Sequence, residues 1–306
     1  MKTSLLKSFF NKLYEYMNVV NSEDKKYPAL LKKIGKDAPK QLYWKGNYSE
    51  EILKNCLAVV GSRHLTSYGK QVIEKLVIEI AASGITIVSG FMYGGDATAH
   101  KAALRAGGRT IAVMPCGIDL VHPEYQQDLY AEILNEQGLV ISEYEGAMQP
   151  SNWTYPRRNR IVAGLSRAVL VVEAGLKSGS LITANFAKKF GRKIFAVPGP
   201  ITSEVSQGTN QLIKEGATAA VDVKDIIDFY KINFQFSISN FRSNSNFKFS
   251  NGSIEKKIIE QLKRESLGVD ELSRIFTMPA SILGTTLSLM QLKSLIKQEG
   301  NKFYVN

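Results

Sequence analysis

The chain has 306 residues, 44% of them hydrophobic, with 39 Lys and Arg against 28 Asp and Glu for a formal net charge of +11. That length buries a core and accommodates two or three domains of roughly 100–200 residues each, and the basic excess favours acidic partners such as nucleic acid or an anionic membrane surface. No run of about twenty apolar residues stands ready to cross a bilayer, and Cys56 and Cys116, with no Cys-x-x-Cys or Cys/His cluster around them, indicate neither a zinc site nor a disulfide framework, so a reducing cytoplasm is the expected compartment.

Residues 1–20 mix Lys7, Lys12 and Glu15 with Leu and Phe, lack the features of a secretory signal, and read as a short helix. Residues 21–48, punctuated by Tyr27-Pro28, Pro39 and Gly46, read as an irregular lead-in. From Cys56 the pattern alternates. Strand Cys56–Gly61 ends in Gly61-Ser62-Arg63, helix Gly69–Ser83 follows, and strand Ile85–Ser89 closes at Gly90. Beyond Gly94-Gly95-Asp96 come helix Ala97–Ala106, strand Thr110–Met114, the turn Gly117-Ile118-Asp119, a helix near Glu124–Gln137 and strand Leu139–Ser142. A basic turn, strand Ala168–Glu173, helix Ser180–Phe190, strand Lys193–Val197 and helix Asn210–Glu215 complete the series. Strands alternating with helices of this length predict βαβ units, hence a doubly wound α/β fold whose mostly parallel sheet is covered on both faces.

Ligands of such sheets sit at the carboxyl ends of the strands, where Gly-rich turns open helix N-termini. Gly61-Ser62-Arg63, Gly90 to Asp96, Gly117-Ile118-Asp119 and Ser178-Gly179-Ser180 all hold that position and are expected to converge on one rim. The basic turn, Tyr155-Pro156-Arg157-Arg158-Asn159-Arg160, sets three guanidiniums within four residues and shows no obvious carboxylate partner. Arginine's rigid fork fits phosphate bidentately, and Asn159 adds an amide that donates to phosphate or reads a base edge. A solvated basic turn is the plainer alternative.

Ser178, Gly179 and Ser180, with Lys177 beside them, set hydroxyls at the first turn of a helix, where free N–H groups and the dipole favour an anion. A simple Ser N-cap is the plain alternative there. Arg63 is a further candidate for the same patch, and Trp153 and Tyr155 offer rings on which bases stack. The chain has neither a Gly-x-Gly-x-x-Gly fingerprint with its ribose carboxylate nor a Walker loop, so no nicotinamide cofactor or P-loop ATPase is expected. His100, four residues after Asp96, is a candidate base or a packing residue; His64 and His122 have no recognisable partners, and no catalytic set or metal site is assigned.

Residues 232–252, rich in Asn, Ser and Phe, read as a linker. After it, Ile254–Lys263 is amphipathic, Val269–Ile275 is a second short helix, and beyond the turn Thr277-Met278-Pro279 a third helix carries Leu283, Leu287, Met290 and Leu295. Phe303-Tyr304-Val305 closes a hairpin, so a small winged-helix domain is expected, suited to protein contact, self-association or DNA reading.

Taken together, these blocks resemble the bacterial DNA-processing protein A (DprA/Smf) family. The specific matches are Gly61-Ser62-Arg63 with Ser67-Tyr68-Gly69; Ser89-Gly90 with Gly94, Asp96 and Ala99-His100; Ser142-Glu143; Tyr155 through Ser166; Val171-Val172-Glu173-Ala174; Ser178 through Ala184; and Pro198-Gly199. The resemblance implies an extended Rossmann-like core that binds and protects single-stranded DNA, helps load the RecA recombinase during natural transformation, turns nothing over, needs no cofactor and forms a homodimer. Carried over residue by residue, it implies DNA contacts at Ser62, Arg63, Tyr155, Arg157, Arg158, Asn159, Arg160, Lys177, Ser178, Gly179 and Ser180. The expected layout is a lead-in over 1–48, the core over 49–231, the linker over 232–252 and the winged helix over 253–306. The chain departs from the family pattern at Tyr93, where an Arg is usual, at Gly95, where an Ile is usual, and at His122 and Tyr155, which replace Tyr and Phe before proline.

Two other readings stand beside this one. The core also looks like the lysine-decarboxylase-like phosphoribohydrolases, although no carboxylate follows Ser178-Gly179-Ser180 and Glu173 precedes it. A winged-helix repressor with an α/β sensor is the third. If single-strand binding holds, affinity falls with salt at a log–log slope of about −0.7 per phosphate neutralised, and Arg158→Ala or Arg63→Ala is expected to flatten it.

Overall fold

The computed structural model describes residues 18–136, 138–232, 258–276, 280–292, 295–300 and 302–305. The chain divides into two units, Met1–Asn244 and Ser245–Asn306. The first is built on a nine-stranded sheet in the order β1-β2-β6-β5-β4-β3-β7-β8-β9. Its strands are β1 (Val19–Asn21), β2 (Gln41–Gly46), β3 (Cys56–Val60), β4 (Thr86–Ser89), β5 (Thr110–Gly117), β6 (Leu139–Tyr144), β7 (Ala168–Val171), β8 (Lys193–Ala196) and β9 (Thr218–Ala219). From β6 through to β9 every pairing is parallel, while β1 and β2 join the β6 edge antiparallel.

The central strands are buried on both faces, as a crossover architecture demands. Along β3, Cys56, Ala58 and Val60 face one core cluster while Leu57 and Val59 face the other. The helices that cover the sheet include α1 (Ala29–Lys32), α2 (Glu50–Lys54), α3 (Ser67–Ala82), α4 (Gly95–Arg105), α5 (Gln127–Asn135), α6 (Thr154–Leu165), α7 (Gly179–Lys189), α8 (Gln207–Lys214) and α9 (Lys224–Tyr230). Winding runs from β3 to β4 and β5 in one direction and from β7 to β8 and β9 in the other. β3 and β7 are hydrogen-bonded neighbours, so their carboxyl ends form the switch point where ligands of doubly wound sheets bind.

Three sequence readings are corrected. The stretch 21–48 is not irregular throughout: β2 pairs with β6 from Tyr43 against Ser142 to Gly46 against Leu139, and a short helix precedes it. The basic turn is the opening of a helix, α6, with Pro156 as its third residue; the first turn leaves its N–H groups without intrahelical acceptors, so a proline there removes nothing. Strand Ala168–Glu173 stops at Val171, releasing Glu173 into the following loop. The helix expected over 1–20 lies outside the described residues up to residue 17, and Val19 onward is strand.

In the second unit a helical segment at 258–262, α10 (Val269–Phe276) and α11 (Ala280–Leu292) pack with a three-stranded antiparallel sheet of order β10-β12-β11: β10 (Leu267–Gly268), β11 (Ile296–Glu299) and β12 (Lys302–Val305). Leu262, Leu272, Leu283, Leu287, Met290 and Phe303 form its core. Helices followed by a terminal hairpin are the winged-helix layout. Apart from Ile232, the expected linker lies outside the described residues, as does the turn at 277–279.

Candidate nucleic-acid interface

Three loops meet at the switch point because glycines let their backbones touch. The amide of Gly95 donates to the carbonyl of Ser62 at 3.0 Å, which joins the loop after β3 to the start of α4. A Cβ on Gly95 would sit 2.7 Å from Gly61 Cα, so that approach requires glycine. Gly94 turns the chain at φ 77°, and Phe91, buried and at φ 60°, holds the left-handed region at a cost of about 1 kcal/mol.

The loops enclose a cavity of about 690 Å³. Nine of the sequence-predicted residues line it: Ser62, Arg63, Tyr155, Arg158, Asn159, Lys177, Ser178, Gly179 and Ser180. Ser178 caps α7, accepting from the Ser180 amide at 3.3 Å, and the Asn159 amide donates to the Gly179 carbonyl at 3.3 Å, tying α6 to that cap. The cavity wall therefore carries a helix N-terminus of the kind that attracts anions. Lys177 beside it is exposed.

Arg63 is exposed and has no carboxylate in ion-pair contact among the described residues. Its guanidinium lies 5.5 Å from the Tyr155 ring centroid and 5.8 Å from that of Tyr93. Tyr155 shares a 2.8 Å hydrogen bond with His122 Nε2, and partial burial followed by the Arg63 charge lower the His122 pKa. The partner that the sequence did not reveal for His122 is thus the phenol of the basic run.

The arginines of that run separate into two faces. Arg158 is 3% exposed, donates to the carbonyls of Gly90 and of Val113 (2.6 Å), and lies near buried Asp96. Burial lowers its pKa to about 10, so it stays charged at neutral pH; burial also raises the Asp96 carboxyl, against the Arg158 charge and the Met92 amide. Arg157 and Arg160, three residues apart and so on one helix face, both pair with Glu143 at the end of β6. Neither lines the cavity. The expectation of guanidiniums without carboxylate partners is corrected on these two residues: Glu143 binds both, while Arg158 is a buried crosslink between β4 and β5. Gly117-Ile118-Asp119 is likewise not on the rim. All three of its amides are used by the end of β6 and the loop after it, donating to Met148, Tyr144 and Gly146.

Two candidate acid–base groups serve the scaffold. His100 Nδ1 lies 2.7 Å from the Thr110 hydroxyl, which itself donates to the Ile87 carbonyl, so His100 carries its proton on Nδ1. Burial, then the Arg158 charge, depress its pKa to about 3. Glu173 is buried and accepts from both the amide (2.9 Å) and the hydroxyl of Thr66, the N-cap of α3. Among the described residues no cluster of three or more His, Cys, Asp or Glu is arranged to hold a metal, and no helix is long and apolar enough to cross a membrane.

Residues 18–231 match the family described as DNA recombination-mediator protein A. Protein Smf of Escherichia coli is 43% identical over 60% of this chain and 48% of its own length. DNA processing protein DprA of Streptococcus pneumoniae is 44% identical over 66% of this chain and 70% of its own. A crystal structure of DNA processing protein A from Streptococcus pneumoniae superposes with a TM-score of 0.67 at 38% identity, covering 76% of this chain and 79% of that one. The Helicobacter pylori DNA processing protein A, whose structure is described for its single-stranded DNA binding mode, superposes with a TM-score of 0.63 at 32% identity, covering 72% of this chain and 99% of that one. The chain spans about half the length of the Escherichia coli and Synechocystis relatives it matches, 48% and 52%.

Proposed function

The chain belongs to the DNA recombination-mediator protein A family, and from that premise we propose that it binds single-stranded DNA at the switch-point cavity and acts, without turnover, in DNA recombination and transformation. The observation that carries this reading is the placing of Arg63, which has no carboxylate partner among the described residues, and exposed Lys177 on the same cavity as the capped N-terminus of α7. Cationic groups and the positive end of a helix dipole around one open cavity suit a backbone of phosphates. The Helicobacter pylori relative, described for its single-stranded DNA binding mode, supports the choice of strand.

Within this reading the eleven candidate residues divide. Ser62, Arg63, Tyr155, Asn159, Lys177, Ser178, Gly179 and Ser180 meet the strand, whereas Arg158 and Arg160 shape the site from beneath and beside it. Arg157, half-exposed and over the Trp153 ring at 5.9 Å, extends the basic surface outside the cavity. The family's description as a recombination mediator supports transfer of the bound strand to a RecA-type recombinase. We assign the protein a homodimeric form and a cytoplasmic place of action on the same footing.

The phosphoribohydrolase alternative needs a carboxylate at the bound nucleotide. Glu173, the nearest candidate in sequence, does not line the cavity and has both oxygens engaged by Thr66; the carboxylates that do line it are Asp96, buried and accepting from the Met92 amide, and the exposed Glu204. The deciding experiment is an anisotropy titration of labelled oligo-dT against duplex of equal length at two salt concentrations. Tighter, salt-sensitive binding of the single strand supports the reading; equal binding, or release of base from a nucleoside monophosphate, overturns it. Acceleration of RecA filament growth on coated single strands tests the transfer step separately.

A further inference from the structure

A second basic surface lies at the far end of α7 from the cavity. The helix opens at Gly179 on the cavity wall and closes at Lys189, eleven residues that span about 16 Å. There Lys189 pairs with Asp37 at 2.6 Å, which brings the end of α7 to the turn that follows α1. Leu31 and Ile34 pack on Gly164 near the end of α6, where an added Cβ would meet them at 2.7 and 3.0 Å, and Lys32, Lys33 and Lys36 are left exposed. The Arg192 guanidinium fixes the junction from within, donating to the carbonyls of Leu30 at 2.8 Å and Gly164 at 3.2 Å. Asp37 and Glu215 are engaged by Lys189 and Lys188, whereas Lys32, Lys33 and Lys36 have no carboxylate in ion-pair contact among the described residues.

We propose that this surface is a phosphate track outside the cavity, reached by the single strand as it continues along α7. The inference rests on the single-strand reading and extends the contact to a part of the molecule that the cavity does not include. Ile182 on the cavity wall, Asn185 and Lys189 stand three and four residues apart, so they share one helix face that leads from the cavity to the lysines. Asn185 and Lys189 are exposed on that face, and α7 contains no acidic residue to repel a phosphate. Three lysines within five residues of one fixed junction repel each other, and a polyanion laid across them relieves that repulsion while it releases its own counterions. Lysine, a point charge on a flexible stem, suits a backbone held without regard to sequence. An acidic protein segment would meet the same charges, but the face shared with the cavity favours the strand.

The test titrates two labelled oligo-dT strands over a series of salt concentrations, one short enough to fill the cavity alone and one long enough to pass the end of α7. Wild-type protein is compared with a variant carrying Lys32→Gln, Lys33→Gln and Lys36→Gln. A control variant carries Lys75→Gln, Lys101→Gln and Lys224→Gln, which removes the same charge from exposed positions on helices that cover the other face of the sheet. Thermal melting confirms folding. On the long strand the first variant is expected to show a slope of log K against log salt shallower by about 2, at about 0.7 for each phosphate given up. On the short strand it matches wild type, and the control matches wild type on both. An unchanged slope on the long strand, or equal changes on both strands or in both variants, overturns the track while leaving single-strand binding at the cavity intact. Failure of the wild-type protein to bind either strand overturns both.

Discussion

The Arg158 guanidinium donates to the backbone carbonyl of Val113 at 2.6 Å, from a helix that lies across the carboxyl ends of β4 and β5. With its second bond to Gly90 it fastens α6 to two strands that are not its neighbours in sequence. Bonds from a charged donor to buried acceptors contribute about 1.5–3 kcal/mol each, and their loss also strips buried Asp96 of its compensating charge. Arg158→Ala is therefore expected to lower the unfolding free energy by about 3 kcal/mol or more. Urea denaturation reads this as a lower midpoint. An unchanged midpoint together with a flattened salt dependence of DNA binding would return Arg158 to the role of a phosphate contact.

Arg63 is the counterpart. Exposed and without a carboxylate partner among the described residues, it has little to lose structurally, so Arg63→Ala should leave thermal stability within about 0.5 kcal/mol, as for other surface substitutions. Its loss should shift the slope of log K against log salt by about 0.7, the share of one phosphate on a single strand. Affinity should fall alike on every sequence. A loss confined to one sequence would indicate base reading by Arg63 in place of backbone contact.

Glu143 separates Arg157 from Arg160 by solvent. The Arg157 side chain is 52% exposed, and exposed pairs contribute about 0–1 kcal/mol. The Arg160 side chain is 9% exposed against the same carboxylate, and breaking a buried pair costs about 3–5 kcal/mol. Denaturation midpoints should thus barely move for Arg157→Ala and drop clearly for Arg160→Ala. Similar losses in the two variants would contradict the division drawn from burial.

Much of this molecule is legible in its sequence. Buried strands announced themselves because a parallel sheet covered on both faces needs uninterrupted apolar runs such as Cys56–Val60, and the Gly-rich turns marked their carboxyl ends. What sequence could not supply was pairing across distance. Glu143 stands 14 residues before Arg157 in sequence and meets it only because β6 and α6 come together in space. Pro156 disguised a helix opening as a turn. β1 is three residues long and on an edge, so it buries too little to show a pattern, and β2 joins antiparallel without the crossover helix that marks the other strands. Tyr93 appeared as a departure from a family pattern, but its place against Arg63 and His64 required the backbone contact between Gly95 and Ser62.

That contact yields its own prediction. A Cβ at Gly95 would press on Gly61 Cα at 2.7 Å, backbone against backbone, with no flexible side chain to yield. Gly95→Ala should separate the loop after β3 from the start of α4 and displace Arg63, so oligo-dT affinity should fall even though no charge is removed. Thermal melting of Gly95→Ala separates a shifted loop from a general loss of folding. Weaker oligo-dT binding than wild type by a variant that still melts cooperatively is the expected result, and unchanged binding would mean that the loop junction does not set the site.

His100 gives the fold a pH dependence of known sign. In the unfolded chain a histidine takes up a proton near pH 6.5, whereas in the folded protein burial beside Arg158 holds the pKa at about 3. Between those values the unfolded state binds the extra proton, so stability is greatest above pH 6.5 and declines as pH falls toward 3. The slope attributable to this one group approaches about 1.4 kcal/mol per pH unit in the middle of that window. Replacing the ring by His100→Asn, whose amide nitrogen occupies about the position of Nδ1, should lower stability at pH 7 through imperfect packing yet reduce the loss between pH 7 and pH 5. Urea midpoints of wild type and variant at the two pH values measure both effects. Parallel declines in the two proteins would mean that other groups, not the buried imidazole, take up the protons.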